Sequence, residues 1–299
     1  MTNYAGYMGK VIRLDLGSRS VSEYPWTDRD RQLYLGGKAM ASKIMYDTFT
    51  GSEKPLEPEN IIVISTGPLT GTGAPSSSRF NISTLSPQTG ITTSSNCGGN
   101  FGHYLKKAGY DALIIAGKCE KLTWVEIHND IIKFHDAQEL KGLCTTPTQE
   151  SIQQKLDEER GCEVKCGKVV IGPAGENLVK YASVFSNERA AGRAGVGCVF
   201  GSKNLKGIAV SGTHEVSIYD PQKTHRLFEK WVETLKKHPL TGNQLPKMGT
   251  AGLVTTMQMR GLLSTRNYAK GQFEDFELVN GETLAEDISI VNKGCPVSY

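Results

Sequence analysis

Two guanidinium groups four residues apart stand among glycines and alanines in the stretch Arg189-Ala190-Ala191-Gly192-Arg193-Ala194-Gly195-Val196-Gly197. Arginine presents a planar fork of donors that matches phosphate or carboxylate. Small neighbours let several backbone N–H groups turn toward the same anion. A second loop of this kind runs from Gly67 to Asn81, with Gly71, Gly73 and a triplet of serines ahead of Arg79. A third, from Ser94 to Gly102, carries Asn96, Cys97, Gly98 and Gly99. Converging on one ligand, the three loops predict a cradle of amides with Arg79, Arg189 and Arg193 for a large anionic group. Neither a Gly-Lys-Ser/Thr closure nor a G-x-G-x-x-G turn after a strand is present, so neither standard nucleotide loop accounts for them. A Rossmann-like nucleotide site remains the alternative on residue pattern alone.

Something must hold these loops. The apolar run Ile61-Ile62-Val63-Ile64 leads into the first loop and predicts a strand, and the third loop opens into a helix near residue 101. At the start of the chain, Lys10–Leu16 alternates with period two and turns at Gly17-Ser18 into Val21–Tyr24, which predicts a hairpin. Residues Lys38–Tyr46 predict a helix with Met40, Ile44 and Met45 on one face. Leu122–His128 and Ile131–His135 predict a second hairpin across Asn129-Asp130, and Thr148–Arg160 an exposed helix.

An internal repeat joins these pieces. Ile64-Ser65-Thr66-Gly67-Pro68 is echoed by Val170-Ile171-Gly172-Pro173, and the segment closing at Gly117 by the one closing at Gly212. The offsets are 105 and 95 residues, so the loops of the two copies differ in length. Two similar halves facing each other would each supply one anion-binding loop. From Asp220-Pro221 the character changes to helical: Asp220 caps, Pro221 suits the first turn, and Leu227, Phe228, Trp231, Val232 and Leu235 form a stripe. A domain boundary is expected near Val216, with residues 1–215 as a β-rich platform and 216–299 as the beginning of a helical domain.

Composition sets the class. With 299 residues and a net charge of +3, the chain can bury a sizeable core and carries no footprint for nucleic acid or a membrane surface. No signal-like leader or bilayer-length apolar run is visible, so a cytoplasmic location is expected. Seven cysteines at irregular spacing do not form a secreted disulfide framework. Cys162 and Cys166 have ligand-like spacing but are expected to be free thiols beside a strand.

In order and content, these segments resemble the N-terminal half of the tungsten-containing aldehyde ferredoxin oxidoreductase family. The most specific pieces are Thr66–Pro75, Ser94–Gly102, Ile171–Val179, Arg189–Gly197 and Gly201–Lys206. The resemblance implies an α+β fold: two mixed β-sheets related by a pseudo-twofold axis, forming a platform for a pterin cofactor, followed by a helical domain. It implies a tungsten or molybdenum bis-pyranopterin contacted by Arg79, Asn96 and Gly98 from one half and by Arg189, Ala190 and Gly192 from the other. Magnesium would bridge the pterin phosphates near the backbone carbonyls of Asn96 and Ala190. The implied activity is oxidation of a small aldehyde to a carboxylate, with electrons passing through a [4Fe–4S] cluster to ferredoxin, in an anaerobic cytoplasm.

The family's cluster motif, C-x-x-C-x-x-x-C, is matched here at one position, Cys295, so the chain reads as a truncated member with a partial ligand set. The alternatives are a non-catalytic truncated product, or a phosphate- or pterin-binding module acting with a separately encoded partner or as a homodimer. Within the chain no residue reads as a catalytic base. Glu176 and His103 lie near the loops and are expected to serve as caps or supports.

Overall fold

The computed structural model describes residues 4–287, which fall into two compact units dividing between Tyr219 and Asp220. The first unit holds twelve strands in two six-stranded sheets. Sheet 1 is built from β1 (Lys10–Asp15), β2 (Ser20–Glu23), β3 (Ile62–Ser65), β4 (Phe80–Leu85), β5 (Thr92–Cys97) and β6 (Tyr110–Ala116). Sheet 2 is built from β7 (Thr123–His128), β8 (Ile131–Asp136), β9 (Gly167–Val170), β10 (Val184–Ser186), β11 (Arg189–Ala191) and β12 (Leu205–Ser211). Their orders are β2-β1-β6-β3-β4-β5 and, read from the other end, β8-β7-β12-β9-β10-β11. Each strand of one sheet thus has a counterpart in the other, and the senses agree as well. The β1–β6 and β7–β12 pairs are parallel and the remaining pairs antiparallel.

The duplication holds to the residue. Ile64 pairs with Leu113 in sheet 1, and Val169 pairs with Ile208 in sheet 2. The first members differ by 105 and the second by 95, the two offsets of the sequence repeat. The ladder between β1 and β6 skips Asp111, and the ladder between β7 and β12 skips Lys206, so the same bulge recurs 95 residues later.

Period-two alternation on strands buried on both faces explains the layers. Leu113 and Ile115 of β6, with Ile208 and Val210 of β12, face a core shared by both sheets. Between the sheets, α3 (Phe101–Lys107) contributes Phe101 and Leu105, and α6 (Val196–Ser202) contributes Val199 and Phe200. On the outer face of sheet 1, Ala112 and Ile114 pack under α2 (Gly37–Thr48) through Met40, Ile44 and Met45. Here α1 (Asp28–Tyr34) precedes α2, started by a capping box between Thr27 and Asp30. On the outer face of sheet 2, α4 (Thr145–Arg160) buries Ile152 and Leu156 against Trp124 and Ala209. The expectation of an exposed helix over 148–160 is therefore corrected, since Thr148, Gln149, Ile152 and Leu156 form a buried face spaced three to four residues apart. A single turn, α5 (Pro173–Glu176), follows β9.

The second unit begins with α7 (Pro221–Lys237), capped by the Asp220 carboxylate accepting from the Lys223 N–H at 2.9 Å. Its stripe of Leu227, Phe228, Trp231, Val232 and Leu235 is half-buried at most. Short helices follow: α8 (Leu245–Met248), α9 (Val254–Met259, ended by Gly261) and α10 (Gly281–Asp287).

Candidate functional site

The two sheets approach each other through their edge strands β5 and β11, and the predicted ligand residues sit there. Asn81 pairs with Asn96 across β4 and β5, and Phe185 pairs with Ala190 across β10 and β11. With β3 and β9 aligned by the repeat, Asn96 and Ala190 fall at the same position of the two halves, and two residues on, Gly98 and Gly192 do too. The sequence had placed Asn96 and its neighbours in a loop, whereas Thr92–Cys97 is a strand. Its polar run lacks the apolar alternation that marks a strand, because only Ser95 and Cys97 turn inward. Likewise Phe80 and Asn81 begin β4, and Arg189 and Ala190 lie on the three-residue β11.

Cross-contacts bring the halves together. Arg189 lies over Gly98, its Cγ 3.4 Å from the point a Cβ on that glycine would occupy. The backbone N–H of Arg193 donates to the Ser95 hydroxyl at 3.1 Å. Gly99, at φ +86°, abuts Ser186, whose hydroxyl is 2.7 Å from a hypothetical Cβ. The Asn100 N–H donates to the Asn187 side-chain oxygen at 3.2 Å. Burial pushes the Cys97 thiol up to about 11 despite the opposing pull of the Arg79 and Arg189 guanidiniums. Those two arginines, one from each half, therefore lie near one buried atom. Asn96 is exposed and its side-chain oxygen accepts from Asn81 at 3.0 Å, while Ala190, Gly192, Arg79 and Arg193 are exposed and Arg189 is half-buried.

Gly192 tests whether this surface fits a closely held ligand. Its φ is not positive, and a Cβ there would meet nothing nearer than the Ser183 hydroxyl at 3.8 Å. The fold makes no demand for glycine at that position, whereas a ligand laid against the backbone would. Gly98 likewise has no positive φ. Two glycines at equivalent positions of the halves, Gly192 open and Gly98 beneath Arg189, fit a large anionic group held by arginines.

The other candidates are structural. Glu176 forms an ion pair with the fully buried Lys206 and accepts from the Gly142 N–H at 2.8 Å. His103 packs edge-on against Tyr104, and its pKa is pulled down by burial and by Lys107. Cys166 makes contacts to the Gln153 oxygen at 3.3 Å and to Lys168 at 3.7 Å, while Cys162 is exposed, and both are free thiols. Glu126, His135 and Glu159 cluster closely enough to bracket an ion. However, the Glu126 carboxylate already meets Arg160 at 3.0 Å and Lys133 at 3.9 Å, so two cationic side chains stand beside it. Cys295 lies outside the described residues. Among the described residues no helix is long and apolar enough to cross a membrane.

Two duplicated six-stranded sheets meet through β5 and β11, with arginines beside equivalent glycines of the two halves. Residues 11–212 match the profile of the aldehyde ferredoxin oxidoreductase N-terminal domain, and residues 226–298 match that of the same family's domains 2 and 3. The chain belongs to the aldehyde ferredoxin oxidoreductase family. It is 39% identical over 291 residues to the tungsten-containing aldehyde ferredoxin oxidoreductases of Thermococcus kodakarensis and of Pyrococcus furiosus, matching 97% of this chain and 47% of each relative. It is 30% identical over 240 residues to a WOR-like subunit of an aliphatic sulfonate oxidoreductase from Pyrococcus furiosus, covering 76% of this chain and 38% of that one. Among solved structures, the active-site complex BamBC of benzoyl coenzyme A reductase with 1,5-dienoyl-CoA superposes with a TM-score of 0.80 at 29% identity, over 98% of this chain and 47% of that chain. The chain spans about half the length of the curated relatives it matches.

Proposed function

We propose that the first unit is the cofactor platform of a tungsten or molybdenum bis-pyranopterin oxidoreductase that converts aldehydes to carboxylates. The observation that carries this reading is the equivalence of Asn96/Gly98 with Ala190/Gly192 across the two sheets, with Arg79 and Arg189 beside them. Each half would hold one pterin phosphate, Arg79 and Arg189 supplying charge-assisted hydrogen bonds and the glycines permitting close approach. The backbone carbonyls of Asn96 and Ala190 would be the groups to hold a magnesium ion there. When bound, such a group supplies the two-electron redox chemistry of aldehyde oxidation.

This chain's own residues would bind and orient; Glu176 is paired with Lys206, and His103 packs on Tyr104. The acid–base groups and the remaining [4Fe–4S] ligands beyond Cys295 belong, in this reading, to the other half of the family's length, as does delivery of electrons to ferredoxin. The competing reading is a platform chain completed by a separate partner.

The test is tungsten, molybdenum and pterin content of the complete protein purified without oxygen, for wild type, Arg79→Ala and Arg189→Ala. Each charge-assisted contact is worth about 1.5–3 kcal/mol, so both variants should retain at least tenfold less of the group. Unchanged metal and pterin in both would sink the assignment.

A further inference from the structure

We infer that Gln149, on the outer helix α4, is a positioning residue for the cradle, acting on Arg189 through Asn187. This rests on the reading of Arg189 as a ligand residue. The turn between β10 and β11 is two residues long, Asn187-Glu188, and Asn187 holds φ +53°, a conformation asparagine tolerates better than most residues. The Ser186–Arg189 pair pins the base of this turn, and a grip on Asn187 holds its tip. Gln149 does so with both ends of one amide: its oxygen accepts from the Asn187 N–H at 2.7 Å, and its NH2 donates to the Asn187 carbonyl at 3.1 Å. Gln149 is 7% exposed, while Asn187 is exposed, so the grip is held from the buried side.

Asn187 passes the constraint on in two directions. Its side-chain oxygen takes the Asn100 N–H, which locks the turn to the segment following Gly98 and Gly99 in the other half. Two residues along the chain, Arg189 begins β11 and packs across Gly98. The glutamine thus braces the turn that leads into Arg189, beside the strand pairing of Arg189 with Ser186. The turn in the equivalent place of sheet 1, between β4 and β5, is six residues long and closes on itself, with the Gly90 N–H donating to the Ser86 carbonyl at 2.8 Å. The short turn is closed at its base by the Ser186–Arg189 pair and is braced at its tip by α4. Gln149 touches no ligand residue directly, and its position in a polar helix segment hid it from sequence patterns.

The experiment uses the complete protein purified anaerobically and follows tungsten (or molybdenum) by mass spectrometry and pterin by fluorescence after timed dilution. Gln149→Met preserves side-chain length and removes both hydrogen bonds; about three- to tenfold faster loss of metal and pterin is expected. Gln149→Glu keeps the acceptor for the Asn187 N–H but cannot donate to its carbonyl, and should fall between. In an Arg189→Ala background, Gln149→Met should add nothing further, because its effect runs through Arg189. Asn187→Gly, which keeps the backbone conformation and removes the acceptor for Asn100, should resemble Gln149→Met, and Asn187→Asp should rescue it; this pair serves also where Gln149→Met does not fold. Wild-type retention in Gln149→Met or in Asn187→Gly, or losses that multiply in the double variant, would overturn the inference. Full retention by Arg189→Ala alone would instead overturn the cofactor reading beneath it.

Discussion

Asp111 and Lys206 occupy the same bulge in the two halves of the platform, and they carry opposite charges. Each lends its carbonyl to the strand end before a Gly-Pro loop: the Thr66 N–H donates to Asp111 at 3.0 Å, and the Ile171 N–H donates to Lys206 at 2.9 Å. Each side chain also forms a buried ion pair, but the partner comes from a different element. Asp111 meets Lys106 of α3 at 2.6 Å, while Lys206 meets Glu176 of α5. The halves have kept the bulge and the buried pair while exchanging the sign of the charge at the bulge.

Asp111 also accepts the N–H groups of Met8 and Gly9, both at 2.9 Å, and its side chain is 1% exposed. Replacing it with asparagine strands the Lys106 ammonium in the interior. Asp111→Asn should cost about 3–5 kcal/mol, read as a lower midpoint in guanidinium unfolding. Pairing it with Lys106→Met should recover part of that loss. A cost under about 1 kcal/mol for Asp111→Asn would mean the pair is not desolvated in solution.

The glycines of the cradle should separate fold from ligand. Gly99→Ala meets a positive φ and drives a Cβ into Ser186, so stability should drop by about 1–3 kcal/mol. Gly192→Ala meets neither obstacle; stability should stay within about 0.5 kcal/mol of wild type while metal and pterin content falls. Equal destabilisation by the two substitutions would remove the argument that a ligand requires Gly192.

Lys203 joins the halves by donating to the carbonyls of Pro58 at 3.1 Å and Gly117 at 2.9 Å. Burial pulls its pKa down to about 8. Between pH 8 and the ordinary lysine value the unfolded chain binds more protons than the folded one, so stability should rise with pH across that window, by up to about 3 kcal/mol. Tyr110, pushed up to about 12, works the other way above pH 10, so the rise is best read between 8 and 10. The thiols of Cys97, Cys119, Cys166 and Cys198, raised by burial, oppose this rise and Lys106 adds to it, so the readout is a difference. The wild-type denaturation midpoint should climb with pH relative to that of Lys203→Met, and parallel profiles would contradict the shifted lysine.

Thiol labelling at pH 7 should sort the cysteines by burial. Cys144 and Cys162 are exposed and should react with a maleimide in the folded protein. Cys97, Cys119 and Cys198 are buried with raised pKa values and should react only on unfolding. Rapid labelling of Cys97 would show that the β5–β11 seam opens.

The duplication was legible because its signals are local: a Gly-Pro turn after each of β3 and β9, and offsets of 105 and 95 that reappear as strand register. Both early hairpins and the start of α7 at Asp220 were legible for the same reason. Strand β5 was not, since a strand whose inward positions hold Ser95 and Cys97 has no apolar rhythm. Strands of three residues, β10 and β11, are too short to have one. The role of Gln149 was hidden for a different reason: its partner is 38 residues away and is backbone, which no residue type announces.

The meeting of β5 with β11 also bears on synthesis. Sheet 1 has all six strands once Ala116 has emerged, but the cover for its β5 edge lies at Arg189–Ala191. At roughly 5–20 residues per second, the nascent chain carries an open strand edge for several seconds while the next 73 residues, Gly117 to Arg189, are made. Its polar side chains, Thr92 to Asn96, make that edge a poor template for a neighbouring chain on the same message. The composition that concealed β5 as a strand is thus also what keeps the half-made platform from pairing with its siblings.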